Sequence, residues 1–316
     1  MKSAPASHWA AINESSFVAG MRLLFWVCRV FGRWPFRIVL YPVLAWYVMV
    51  KPAARRASRT YLDHVRAFAP APSGLAGVMR HFAQFAENIL DKMLLWGGLF
   101  DTSHVTIHGL APMLHLLEQG RGAVLVCSHL GNADLCRVLS HQQPGLRITV
   151  LVHTRHAKAF NDMLAAIDPR SQMNLMQVTE MNPATAMILS EKVAQGEFVV
   201  IAGDRIPVAP APRVALAPFL GAPAAFPVGP YVLASILQCP LCLMFSKQGQ
   251  DGYEIHFEQL RDSVKLPRAG RDEALAELAR AYAARLQYHC LRSPLEWFNF
   301  YDFWHLPHLD KNDASC

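Results

Sequence analysis

Between residues 75 and 96 apolar side chains recur three or four positions apart, at Val78, Phe82, Phe85, Ala86, Ile89 and Met93. That period predicts a helix with one buried face. Further on the pattern changes. Short runs rich in Val, Ile and Leu stand at 123–127, 148–152, 175–178, 198–202 and 241–246. Helical stretches are expected between several of them, at 132–141, 156–167, 183–195 and 229–238. Such alternation predicts parallel strands joined by crossover helices, an α/β fold with a mainly parallel central sheet and flanking helices. A charged helix is expected from 271 to 291. Residues 69–74 (APAPSG) read as a connector. The Ala/Pro stretch at 207–225 is too long for an ordinary turn and is expected to cover a site.

The N-terminal fifth has a different texture. Arg22, Arg29 and Arg33 stand seven and four residues apart, which puts them on one stripe of a helix. Leu23, Leu24, Phe25, Trp26, Val27, Val30 and Phe31 lie beside them, the pattern of a helix at a membrane surface. Pro35 is expected to end it. The run IVLYPVLAWYVMV at 38–50 is thirteen uncharged residues long, short of the about 20 that a bilayer span needs. Lys51, Arg55, Arg56 and Arg59 follow, each able to attract anionic headgroups by about 1 kcal/mol. We therefore divide the chain into a basic, apolar, membrane-associating helical region at 1–66 and an α/β domain at 67–316. Monotopic association leads. A true span and a buried helical hairpin with solvated arginines are the alternatives. No cleavable signal is evident.

Charge sharpens this division. Residues 1–66 hold ten Lys or Arg and two acids, a balance of +8, while 67–316 hold twenty bases and twenty-two acids, −2. The basic excess is interleaved with membrane-type apolar residues, which argues against a nucleic-acid partner. Only 17% of residues are charged, against about 25% in an average soluble chain, which excludes disorder. Seven scattered cysteines argue against a secreted disulfide scaffold and for a reducing compartment. Cys239 and Cys242, in CPLC, read as buried packing.

In a parallel sheet, sites gather where strands end and helices begin. The first such junction is AVLVCSHLGNADLC. There His129 lies in the turn, Asn132 can cap the helix and Asp134 sits in its first turn. An acid placed there can hold one imidazole nitrogen and leave the other to take a proton. A structural turn with an acid favoured by the helix dipole is the plainer alternative. The same His–x4–acid spacing recurs at His305/Asp310 and His308/Asp313, in a polar tail with no strand before it. A second junction, FVVIAGDRIP, offers Gly203, Asp204 and Arg205, as ligand contacts or as an Asp–Arg surface pair. Arg155, between His153 and His156, is a third candidate cation at the same sheet edge. These histidines lack the carboxylate or Cys spacing of a metal set, so no metal is expected. There is no GxSxG elbow, P-loop or GxGxxG fingerprint, and no cofactor is expected.

At these residues the sequence resembles the lysophospholipid acyltransferase superfamily, and within it the late lipid A biosynthesis acyltransferases. SHLGNAD carries the His–x4–acid motif through His129 and Asp134. GDR falls where relatives have a second acidic motif, and FLGAPAAFPVGPYVLA (219–234) resembles the segment after it. WFNFYDFW (297–304) is similar to a closing aromatic motif of one bacterial subgroup, although the residues alone read as a core strand. Lipid A enzymes usually carry Glu where this chain has Asp134. The closer likeness is to the subgroup found with aryl-polyene and fatty-acid-synthase-like gene clusters.

The resemblance implies a glycerolipid-acyltransferase-like fold and transfer of a fatty acyl group from acyl carrier protein or coenzyme A to a hydroxyl or amine of a membrane lipid or glycolipid. His129 would be the base and Asp134 its orienter. Asn132, Arg155, Gly203, Asp204 and Arg205 would bind substrate or the charged intermediate. The implied location is the cytoplasmic face of the inner membrane. A membrane-bound lipid carrier without turnover and a thioesterase using the same base on water are the competing readings.

Overall fold

The computed structural model describes residues 26–27, 30–96, 98–135, 145–152, 174–177, 183–207 and 212–306. Seven strands form one sheet: β1 (Val105–His108), β2 (Val124–Cys127), β3 (Ile148–Val152), β4 (Asn174–Gln177), β5 (Phe198–Ala202), β8 (Leu241–Gln248) and β9 (Tyr253–Arg261). Their order is β1-β9-β8-β2-β5-β3-β4. All neighbours are parallel except β8 and β9, so β9 and β1 form an edge that runs against the other five. The five expected strands are those five, with β4 at the far edge. β2 and β5 hold the middle, and VLVC is buried at every position because both faces are covered.

One face carries Leu241, Leu243, Phe245, Val124, Val126, Val199 and Ile201 into a core shared with the helix α7 (Arg271–Arg292). Leu275, Leu278, Ala279, Tyr282, Ala283, Leu286 and Cys290 line the buried side of that helix. Asp272 and Glu273 in its first turn and Arg292 in its last suit its dipole. The other face packs Leu125, Phe198, Val200, Met244, Ile255 and Phe257 against α4 (Ala111–Glu118) through Met113 and Leu116. Two further helices, α5 (Pro183–Ala194) and α6 (Gly229–Ile236), lie close to the expected positions.

The Ala/Pro stretch becomes, from residue 214 onward, a hairpin of β6 (Val214–Phe219) and β7 (Ala222–Pro227). Its composition hides it from a propensity reading. Pro218 and Pro223 stand opposite each other in the register, so their two missing donors fall at one rung of a sheet that is all edge.

The N-terminal helices are α1 (Trp34–Val50), α2 (Pro52–Arg66) and α3 (Gly74–Trp96). Helical residues Val30 and Phe31 end in a turn at Gly32–Arg33, and Pro35 then occupies the first turn of α1, where its missing N–H costs nothing. α1 packs Leu40, Leu44 and Val48 on Val78 and Phe82 of α3. α2 turns inward instead. Its Tyr61, Leu62 and Val65 are buried in the main core with Trp297. Residues 52–66 are thus part of the α/β body, and the expected boundary at 66 runs through a shared core. Among the described residues no single helix is long and apolar enough to cross a membrane. α1 and α2 pass that test only together, bent by 97°.

Cys239 and Cys242 are buried and free, and burial pushes their thiols up to about 11 and about 12, so neither is a thiolate at neutral pH.

Candidate active site

Because β2 and β5 are adjacent and parallel, with Cys127 opposite Ala202, residues two beyond each strand end come together. Those residues are His129 and Asp204. His129 Nδ1 lies 2.7 Å from Asp204 Oδ1, and the His129 backbone N–H donates to Asp204 Oδ2 at 2.8 Å. The Asp204 side chain is fully buried and that of His129 is 32% exposed. The surface-pair reading of GDR therefore fails for Asp204.

Burial by itself would raise the Asp204 pKa. The charge of His129, the bonds from its ring and backbone and the charge of Arg205 outweigh that and hold the carboxyl below its ordinary value. An ionised Asp204 can only accept, so Nδ1 carries a proton that points at it, and in the neutral ring the lone pair falls on Nε2.

The expectation that Asp134 orients His129 is corrected here. The carboxylate on Nδ1 is Asp204, and Asp134 forms an ion pair with Lys92 of α3. The cause is local. Asn132 Oδ1 accepts from the Asp134 N–H at 3.2 Å, an Asx turn that sets the 133–134 turn. The helix that Asn132 is expected to cap lies mostly outside the described residues, and Asn132 Nδ2 is buried with no hydrogen-bond partner among the described residues. Ser128, also buried, accepts from the Leu130 N–H at 3.3 Å.

Two glycines make the turns possible. Gly131 has φ +58°, and a Cβ there would lie 2.2 Å from the Ser246 carbonyl oxygen of β8. A Cβ on Gly203 would lie 2.5 Å from Val126 Cγ1 and 2.9 Å from Tyr282 Cζ. Gly203, expected to contact substrate, thus serves close packing of β5 on β2 and α7. Arg205 donates from Nε to Asn299 Oδ1 and from Nη2 to the Phe298 carbonyl, both at 2.8 Å, so it braces the C-terminal segment. Arg155 with His153 and His156, and Arg22 and Arg29, lie outside the described residues. So do the helix expected at 156–167 and most of that at 132–141.

The C-terminal aromatics are not a core strand. Only Trp297 makes a bridge, to Leu130, and the rest is irregular. Trp297 Nε1–H (2.9 Å) and Asn299 Nδ2–H (3.4 Å) both donate to Asp204 Oδ2, while Phe298 N–H donates to the His129 carbonyl at 2.9 Å. Beneath them His81 is wholly buried. Its Nε2–H donates to the Trp297 carbonyl (3.0 Å), so its Nδ1 accepts from Ser58 (2.9 Å). Burial lowers the His81 pKa to about 4, keeping it neutral. Sequence reasoning singled out 297–304 but gave Trp297 and Asn299 no role. The signal was polar Asn299 amid buried aromatics.

Residues 98–305 match the family described as bacterial lipid A biosynthesis acyltransferase. That span covers both strand ends and the closing aromatic segment. The chain belongs to the bacterial lipid A biosynthesis acyltransferase family. Family membership makes it an enzyme that transfers acyl groups to a lipid. In a lipid A acyltransferase family member the buried Asp204 and half-open His129 are suited to general-base work. No curated protein matches the chain.

Proposed function

We propose that the protein moves a fatty acyl chain from an acyl thioester, on acyl carrier protein or coenzyme A, to a hydroxyl or amine of a membrane lipid or glycolipid. The observation that carries the reading is His129 Nδ1 bonded to a buried Asp204 whose carboxyl is held below its ordinary pKa, and the base we assign is Nε2 of that ring. Nε2 takes the proton of the acceptor as its oxygen or nitrogen attacks the thioester carbonyl. The resulting oxyanion meets Asn132 Nδ2, a buried donor in need of an acceptor, with N–H groups of the following turn. When the intermediate collapses, the C–S bond breaks and the imidazolium returns its proton to the departing thiolate. Attack is direct, without an acyl-enzyme, in keeping with the burial of Ser128, the hydroxyl next to His129.

Arg205, whose charge lies beside Asp204, and Arg155 are proposed contacts for a phosphate of the donor or acceptor. We place the chain in the subgroup that accompanies aryl-polyene clusters, on Asp134 and GDR, which puts its acceptor apart from lipid A itself. Incubation with a washed lipid extract and an acyl thioester tests the reading. Label should move into lipid, with the thiol released in equal amount. Label appearing chiefly as free fatty acid identifies a thioesterase, and retention without turnover a carrier.

The working location we propose is the cytoplasmic face of the inner membrane, with α1 as the contact. Its face opposite Leu40, Leu44 and Val48 shows Trp34, Ile38, Val39, Trp46 and Met49 to solvent, Trp34 at 70% and Met49 at 66% exposure. Lys51 and the exposed Arg56 and Arg59 follow at the bend. Salt screens charges beyond about 8–10 Å but leaves apolar burial intact, so high salt should release little protein. The double variant I38D/M49D, which leaves the α3-facing side untouched, should shift most of the protein from the membrane pellet to the supernatant. A wild-type protein that is soluble without detergent would refute the membrane contact.

A further inference from the structure

At the sheet edge β1 and β9 run parallel with His108 directly opposite His256. Tyr253, Ile255 and Phe257 of β9 pack into the core on one face, so Glu254, His256 and Glu258 point to the other. The imidazoles of His108 and His256 stack at 4.5 Å between centroids, 14° from parallel. His256 Nε2 lies 3.1 Å from Glu254 Oε2. One ligand atom from each of His108, Glu254 and His256 lies within 4.8 Å of the other two.

We propose that His108, Glu254 and His256 form a binding site for a divalent transition-metal ion of the zinc type, apart from the acyl-transfer site. Two imidazoles and one carboxylate are a set that zinc accepts, with water in the fourth position. Bonds of about 2.0–2.2 Å place tetrahedral ligand atoms about 3.3–3.6 Å apart, so His256 and Glu254 already stand close enough while His108 must move in by up to about 1.5 Å and the stacked rings must tilt. His108 is exposed and has the room. The imidazoles select against magnesium and calcium, which take oxygen ligands.

The surrounding charges define how binding proceeds. Lys247 Nζ sits 2.5 Å from Glu254 Oε2 on the same sheet face, so a metal must share the carboxylate or displace the ammonium. Glu258 is not a fourth ligand. Arg285 holds both its oxygens, at 2.5 and 2.8 Å, and His289 Nε2 lies 3.1 Å from Oε1. An ion here ties the short edge strand β1 to β9, two strands from β2, and so acts on stability rather than on the reacting groups.

The test is titration of the chelator-stripped, detergent-solubilised full chain with Zn2+ alone, followed by calorimetry and thermal unfolding, with Co2+ as a spectroscopic probe. One ion should bind per chain, raise Tm and give the visible bands of tetrahedral cobalt, with no competition from Mg2+. His108→Ala removes an exposed ligand without touching the core and should weaken binding tenfold or more. His115→Ala, an exposed histidine on α4, should leave it unchanged. Because His256 packs on His289, Glu254→Gln is the second variant, and it should weaken binding in step with His108→Ala. Absence of saturable binding, or equal affinity in wild type and His108→Ala, overturns the site.

Discussion

His129→Ala should lower acyl transfer by about 10²–10⁴-fold, the contribution of a positioned general base. The loss should appear in kcat more than in KM, because the imidazole acts on the acceptor proton during attack. The fold should survive, since the backbone of residue 129 keeps its own bonds. Its N–H still donates to Asp204 Oδ2 and its carbonyl still accepts from Phe298. What the substitution does leave is Asp204 Oδ1 without its ring partner. An orphaned buried acceptor costs on the order of 1–3 kcal/mol, so some fall in Tm is expected. His129→Gln, whose amide can still donate to that oxygen but cannot take a proton, separates the two effects. It should recover Tm and remain inactive. His305→Ala, at the start of the same five-residue spacing in the tail, should cost little. Turnover by well-folded His129→Gln would remove His129 from the chemistry.

The parallel core could be read from the chain because β2, β5 and β8 are buried on both faces and are therefore apolar runs. β9 was hidden for the opposite reason. With one face packed and the other carrying Glu254, His256 and Glu258, its apolar residues alternate with charged ones and give no run to notice. β1 has four residues and little signal of any kind. At the site, spacing along the chain found His129, and the second strand end found Asp204, but only the register of β2 on β5 reveals that they meet. Spacing favoured Asp134, five residues from His129, over a partner seventy-five residues away. The same blindness to pairs across strands kept His108 apart from His256. It also separated Trp297 from Asp204, whose bond closes the site from the far end of the chain.

Asp204→Asn should lower kcat by the same order, about 10²–10⁴-fold, and it should do so through the tautomer of His129. Oδ2 of Asp204 receives the His129 N–H, Trp297 Nε1–H and Asn299 Nδ2. An Asn at 204 must keep its oxygen toward those donors, which turns its NH2 group to His129 Nδ1. Nδ1 then has to accept, the ring proton moves to Nε2, and the base is blocked. Nitrogen NMR of the histidine ring should therefore report the opposite tautomer in the variant, a change that a merely structural role would not produce. The charge leaves a second signature. With the folded Asp204 pKa held below its unfolded value, the wild type owes to it stability that is present above about pH 4 and lost as pH falls further. The Asn variant should lack that acid limb. Asp134→Asn should behave differently. It breaks the ion pair to Lys92 but leaves Asp204 on Nδ1, so the tautomer stays and turnover falls less than in Asp204→Asn. If Asp134→Asn is the more damaging and Asp204→Asn keeps the wild-type tautomer, the first acid motif orients the base and Asp204 only ties the aromatic segment to the strand end.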